Sequence, residues 1–187
     1  MRLTEQAHEV LKSVLQPGDV VVDATAGNGF DTQFLAEQVG ENGRVFAFDI
    51  QQEAIDQTAL RLMNADLSQV TLFCVSHADM FEYIPPEYHG MIKAIMFNLG
   101  YLPGGDKQLI TQTDTSLEAL EQAIQLLAPG GCLSILLYPG HDGGDREAAA
   151  VEDWCQELDD AEFRLESIVQ ENPKSPRLWI VHKQLDS

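Results

Sequence analysis

Asp23-Ala24-Thr25-Ala26-Gly27-Asn28-Gly29 lies between a β-branched run, Val20 to Val22, and a helical stretch from Phe30 to Val39. Glycines at such a turn let a backbone approach a ligand that a side chain would exclude. Asp49 closes the next apolar run, Val45 to Phe48, 20 residues after Gly29. A carboxylate there accepts hydrogen bonds from both hydroxyls of a ribose. The pattern departs from the G-x-G-x-x-G of a dinucleotide site, because Thr32 stands at the third glycine. Asp23, facing the loop, would repel a pyrophosphate and instead organise water or an amino group, so the expected adenosine ligand is cationic.

A second set of residues follows the apolar run Ile92 to Phe97. Asn98 and Tyr101 stand three apart, and such a pair suits an amine acceptor. The asparagine oxygen and a neighbouring main-chain carbonyl take hydrogen bonds from the amine and aim its lone pair, while the tyrosine stacks on a base. His141, in the loop Tyr138 to Arg146, carries an imidazole that titrates near physiological pH. It accepts a proton, orients a phosphate or closes a turn. Lys107, Arg146, Lys174 and Arg177 are four of eleven basic residues, all expected on the same rim as a phosphate patch. The alternative is that they pair with carboxylates.

Positioning these loops requires strands alternating with helices. Leu3, Ala7, Val10, Leu11 and Val14 predict a helix stopped by Pro17-Gly18. Glu53 to Met63 predicts another, Val70 to Val75 a strand, Thr115 to Leu127 a helix closed by Pro129-Gly130-Gly131, and Cys132 to Tyr138 a strand. Ala148 to Leu158 supplies a further helix. Phe163 to Val169 and Leu178 to His182 are strands with no room for a crossover between them, which predicts an antiparallel pair. The expected fold is α/β and Rossmann-like, a mainly parallel seven-stranded sheet with an antiparallel edge strand and helices on both faces. Residues 1–187 are read as a single domain, with the ligand crevice at the carboxyl ends of the strands.

Composition narrows the partners. Thirty acidic residues against eleven basic ones give a formal charge of −19, so an indiscriminate cationic grip on nucleic acid is excluded and any such contact must be local. Three cysteines without CxxC spacing suit a reducing compartment and make neither a disulfide framework nor a zinc site. The first 19 residues carry charges throughout, so neither leader nor membrane anchor is expected there, and the cytoplasm is the expected location.

The glycine loop resembles motif I of class I S-adenosylmethionine-dependent methyltransferases, and Asn98-Leu99-Gly100-Tyr101 resembles the Asn-Pro-Pro-Tyr motif of those that act on exocyclic amines. With Leu102-Pro103-Gly104-Gly105-Asp106-Lys107, Pro139-Gly140-His141-Asp142-Gly143-Gly144 and Asn172-Pro173, these loops resemble the small family of putative rRNA methylases along nearly the whole chain. Its members include a bacterial tRNA enzyme that methylates 5-aminomethyl-2-thiouridine at wobble position 34. The resemblance implies S-adenosylmethionine as cofactor, S-adenosylhomocysteine as product and no metal. It implies that Asp23, Thr25, Gly27, Asn28, Gly29, Asp31 and Asn98 line the methionine end, Asp49 with Ile50 the ribose side, and His77 and Asp79 the adenine. A helix cap by Ser76 or Asp79 is the alternative for that last segment. Asn98, Tyr101 and His141 become the candidate catalytic residues, facing a tRNA anticodon loop that Lys107, Arg146, Lys174 and Arg177 help to hold. A homodimer is expected from the small size. The alternative substrate is rRNA or a small-molecule amine.

Overall fold

The computed structural model describes residues 1–100 and 112–185. In chain order the elements are α1 (Leu3–Val14), β1 (Val20–Asp23), α2 (Phe30–Val39), β2 (Arg44–Phe48), α3 (Gln52–Asn64), β3 (Val70–Phe73), α4 (Met80–Tyr83), β4 (Ile92–Leu99), α5 (Thr113–Leu126), β5 (Leu127–Leu137), α6 (Gly144–Gln156), β6 (Phe163–Ile168) and β7 (Arg177–Lys183). The strands form one sheet in the order β3-β2-β1-β4-β5-β7-β6. Strands β1 to β5 run parallel, and β7 runs antiparallel to both β5 and β6. The antiparallel edge is therefore a pair, with β7 inserted between β5 and the terminal strand β6.

Period-two alternation along the strands builds two cores. Val22, Phe46, Phe48, Ile95, Phe97 and Leu133 face one side, where Met80 of α4, Leu120 of α5 and Val151 of α6 cover them. Val21, Val45, Met96, Leu136 and Ile180 face the other, under Leu11 of α1 and Leu35 of α2. Strands buried on both faces need near-continuous apolar runs, which explains the Val20–Val22 and Ile92–Phe97 sequences. The order reverses between β1 and β4, and this switch point opens a crevice at the carboxyl ends of the strands.

Two elements start four or five residues earlier than the sequence predicts. Strand β5 begins at Leu127, because Pro129-Gly130-Gly131 is an irregularity inside the strand: Ile92 pairs with Leu127, whereas Ala94 already pairs with Cys132. Helix α6 begins at Gly144, since Gly144 N–H donates to the His141 carbonyl at 2.9 Å and closes the preceding turn early. Arg146 is thus on the first turn of a helix, not on a loop. Strand β3 ends at Phe73, two residues short of the predicted end.

Ile95 is fully buried at the centre of the sheet and Met63 is 69% exposed. Ile95→Ala should cost about 2–5 kcal/mol in denaturant unfolding, against about 0.5 kcal/mol or less for Met63→Ala; equal costs would contradict the assigned core.

Candidate active site

The segment after β1 is held between the ends of its two neighbours. Ala24 N–H donates to the Met96 carbonyl of β4, and Ala26 N–H to the Phe48 carbonyl of β2, both at 2.9 Å. Gly29 then takes φ +86°, and a Cβ there would lie 2.9–3.1 Å from Thr58 of α3, so only glycine lets α3 close on the loop. Thr58 Oγ1 donates to the Gly27 carbonyl, and Arg61 Nε to the Asn28 carbonyl. The guanidinium of Arg61 also lies 3.7 Å above the ring centroid of exposed Phe30. Asp49, half-buried at the end of β2, accepts from Gly27 N–H and Gln51 N–H, each at 2.9 Å. A carboxylate offers about four lone-pair sites, so two remain for ribose hydroxyls.

Asp23 does not face the crevice. It is fully buried; one oxygen accepts from Thr25 N–H at 3.1 Å, the other from Thr32 Oγ1 at 2.6 Å. Burial, reinforced by the nearby Asp31 charge, pushes its carboxyl up to about 7, against the pull of those two hydrogen bonds. Through these bonds Asp23 braces the loop against α2. Thr25 is likewise turned inward, its Oγ1 accepting from Asn98 N–H at 2.7 Å.

Asn98 lies in the last turn of pleat of β4, and its Nδ2 donates to Asp31 Oδ2 at 2.7 Å. The other oxygen of Asp31 sits 2.7 Å from Nε2 of His8, a residue of α1 that nothing in the sequence singled out. The main-chain carbonyl next to Asn98, Leu99 C=O, accepts from Tyr138 N–H at 2.9 Å and keeps a second lone pair. Gly100 explains why proline cannot follow, since its φ is +84° and a Cβ would fall 2.6 Å from His141 Nε2 and 2.8 Å from the Tyr138 carbonyl.

Of the adenine segment, Ser76 caps the short turn His77–Asp79 by accepting from Ala78 N–H. His77 points inward beside Phe97 (5.4 Å between centroids), with the main chain of Ala24 as polar partner, and burial depresses its pKa to about 4. It is therefore neutral near pH 7. Asp79 and Ile50 are exposed. Across the crevice His141 rests its Nδ1 3.0 Å from the Asp142 carbonyl, and among the described residues its buried Nε2 has no hydrogen-bond partner. Glu147, buried in α6 and accepting from Ser116 Oγ at 2.7 Å, has an oxygen near the same Gly100 position; its place inside a predicted loop-to-helix junction hid it.

The rim cations divide. Arg146 and Lys174 are exposed, and Lys174 lies where the β6–β7 connection packs on Gly140. Arg177 takes the alternative pairing: its guanidinium pairs with Glu152 of α6 and donates to the Pro173 carbonyl, while Trp179 Nε1 donates to the other Glu152 oxygen, and these contacts fasten β7 to α6. Tyr101 and Lys107 lie outside the described residues.

A glycine loop after β1, an acid ending β2, an asparagine ending β4 and a reversed β7 inside a seven-stranded sheet define the class I methyltransferase fold. The chain belongs to the family described as putative rRNA methylase, whose model matches residues 45–183. A protein-L-isoaspartate O-methyltransferase model matches residues 2–85. The chain is 44% identical over 160 residues to the chloroplastic tRNA (mnm5s2U34)-methyltransferase of Arabidopsis thaliana, covering 81% of this chain and 58% of that protein. It is 30% identical over 131 residues to the ubiquinone/menaquinone biosynthesis C-methyltransferase of Hydrogenovibrio crunogenus, covering 70% of this chain and 46% of that one. The chain thus spans about half the length of these curated relatives. Among solved structures, a putative rRNA methylase from Clostridium thermocellum matches with TM-score 0.90 and 41% identity over 96% of both chains. A putative methyltransferase from Streptococcus mutans, in complex with SAH, matches with TM-score 0.86 and 34% identity over 98% of both.

The two perturbed groups oppose each other in pH. Asp23, raised to about 7 from 3.8, keeps a proton in the folded chain that the unfolded chain releases, so its contribution to stability falls as pH rises through that window. His77, lowered to about 4 from 6.5, refuses a proton that the unfolded chain accepts, so stability falls as pH drops from 6.5 toward 4. Asp23→Asn removes the first effect. Its denaturation midpoint should therefore improve relative to wild type between pH ~5 and ~8; parallel curves would show that Asp23 does not titrate there.

Proposed function

We propose that the protein is an S-adenosylmethionine-dependent methyltransferase that methylates the exocyclic amine of 5-aminomethyl-2-thiouridine at wobble position 34 of tRNA. The observation that carries the reading is the Asn98 amide held by Asp31 beside the glycine loop; among the described residues no hydrogen bond reaches its Oδ1. A carbonyl oxygen at that point accepts a hydrogen bond from an amine and directs its lone pair. The wobble-uridine relative supports the choice of amine.

The residues fit the cofactor. Gly27, where a Cβ would meet no side chain, leaves an open approach, and Asp49 retains acceptor capacity toward a ribose. The carboxylates Asp31 and Asp49 favour a cation at the loop, with exposed Ile50 on the ribose side and exposed Asp79 on the adenine side. When bound, S-adenosylmethionine supplies a sulfonium-activated methyl group for transfer to the amine nitrogen. The chain's own contribution is alignment, which in well-oriented systems is worth several kcal/mol. An alkylamine reaches the site largely protonated, so the site must favour the neutral form; His141 Nε2, a carboxylate and water are the candidate proton acceptors.

RNA recognition rests on few cations. Arg146 and Lys174 remain exposed on the rim, and a position-34 nucleotide in a single-stranded loop is recognised by stacking with few charges. The engagement of Arg177 by Glu152 favours one second reading, methylation of a small-molecule amine, which needs no phosphate patch. The reading further takes the chain as one domain, acting as a cytoplasmic homodimer. One sheet shared by both cores supports the first point, and no described helix is long and apolar enough to cross a membrane.

Transfer of labelled methyl to total tRNA from cells lacking the protein tests the proposal. Incorporation should appear in tRNA carrying the aminomethyl group and vanish in tRNA without it. Asp49→Ala should weaken cofactor binding at least about 10-fold, whereas Asn98→Ala should leave binding within about 3-fold and lower turnover at least about 100-fold. No tRNA labelling alongside turnover of a free amine would select the second reading.

A further inference from the structure

The His8 ring lies flat on Phe34 of α2, with centroids 3.8 Å apart and planes within 1°. Its Nε2 is 2.7 Å from Asp31 Oδ1. Asp31 is itself 5% exposed, so its charge must be met by hydrogen bonds. A carboxylate only accepts, which settles the orientation of both neighbours: His8 carries its proton on Nε2, and Asn98 turns its NH2 toward Asp31. The amide oxygen of Asn98 must then point away from Asp31. With Nδ2 held by Asp31, that oxygen is presented as a side-chain acceptor at the end of β4.

We propose that His8 and Asp31 are positioning residues: α1 reaches across α2 and, through the Asp31 carboxylate, locks the Asn98 amide with Oδ1 available to the acceptor amine. The proposal rests on the amine-methylating reading above. Loss of the His8 donor leaves one Asp31 oxygen without its partner, frees the carboxylate to swing, and lets the Asn98 amide rotate. Misplacement by a fraction of an ångström to one ångström at such a point lowers turnover without removing a cofactor contact. Helix α1, packed over β5 and β7, becomes part of the active site and not only a cover for the sheet.

Two variants separate positioning from packing. His8→Phe keeps the stacking on Phe34 and removes the N–H donor; His8→Gln restores a donor and removes the stacking. Positioning predicts that His8→Phe lowers kcat at least about 10-fold with KM for tRNA and cofactor Kd nearly unchanged, and that His8→Gln recovers to within about 3-fold of wild type. A packing role predicts the reverse order and would overturn the proposal. The side-chain amide resonances of Asn98, assigned by their loss in Asn98→Ala, supply a readout without substrate. They should shift and exchange faster in His8→Phe and return in His8→Gln. Unchanged resonances in His8→Phe overturn the proposal even where turnover falls. If wild-type protein labels no tRNA, the substrate reading fails, and the resonances alone decide the positioning claim.

Discussion

The carboxylate of Asp31 is the point on which the site turns, because it sits nearly dry between three elements that are distant in the chain. It lies in the first turn of α2 and receives His8 from α1 on one oxygen and Asn98 from β4 on the other. A buried charge left without such partners costs several kcal/mol, so the sheet cannot close with Asn98 turned elsewhere unless that cost is met. The same requirement brings α1 against α2 and ties the acceptor side of the crevice to the cofactor side.

Three carboxylates, Asp23, Asp31 and Asp49, converge on one glycine loop, and the molecule handles each differently. Asp23 is buried deepest, and burial together with the nearby Asp31 charge raises its carboxyl to about 7. Asp31 is hydrogen-bonded by side chains from two elements. Asp49 stays half-exposed, anchored by two main-chain N–H groups with acceptor capacity to spare. The result is a negative wall at the loop, suited to a sulfonium and an ammonium and unsuited to a pyrophosphate. A protein of charge −19 can work on RNA only if recognition is concentrated in stacking and in the few cations on the opposite rim.

Much of this was legible in the chain. Apolar runs buried on both faces mark β1, β2 and β4, and α2 begins and ends at Phe30 and Val39 as its periodicity requires. Asp49 stands at the end of β2 because an acid closing an apolar run has no other place. Pro129-Gly130-Gly131 reads as a turn in isolation, whereas pairing with β4 turns it into an irregularity within β5. Gly143 and Gly144 similarly read as loop until the His141 carbonyl starts α6. Side-chain partners were the least legible. His8 and Asp31 are 23 residues apart, and Arg177 and Glu152 are 25; no local period records such pairs. The resemblance places Asp23 and His77 on the ligand side, and no local period records their burial or their inward hydrogen bonds.

The most direct measurement is a crystal structure of the protein with S-adenosylhomocysteine and the nucleoside 5-aminomethyl-2-thiouridine. The account predicts homocysteine along the glycine loop, ribose on Asp49, and the amine nitrogen about 2.7–3.2 Å from Asn98 Oδ1, with Nδ2 still on Asp31. An amine seated away from Asn98, or an Asn98 amide turned with its oxygen toward Asp31, would contradict it.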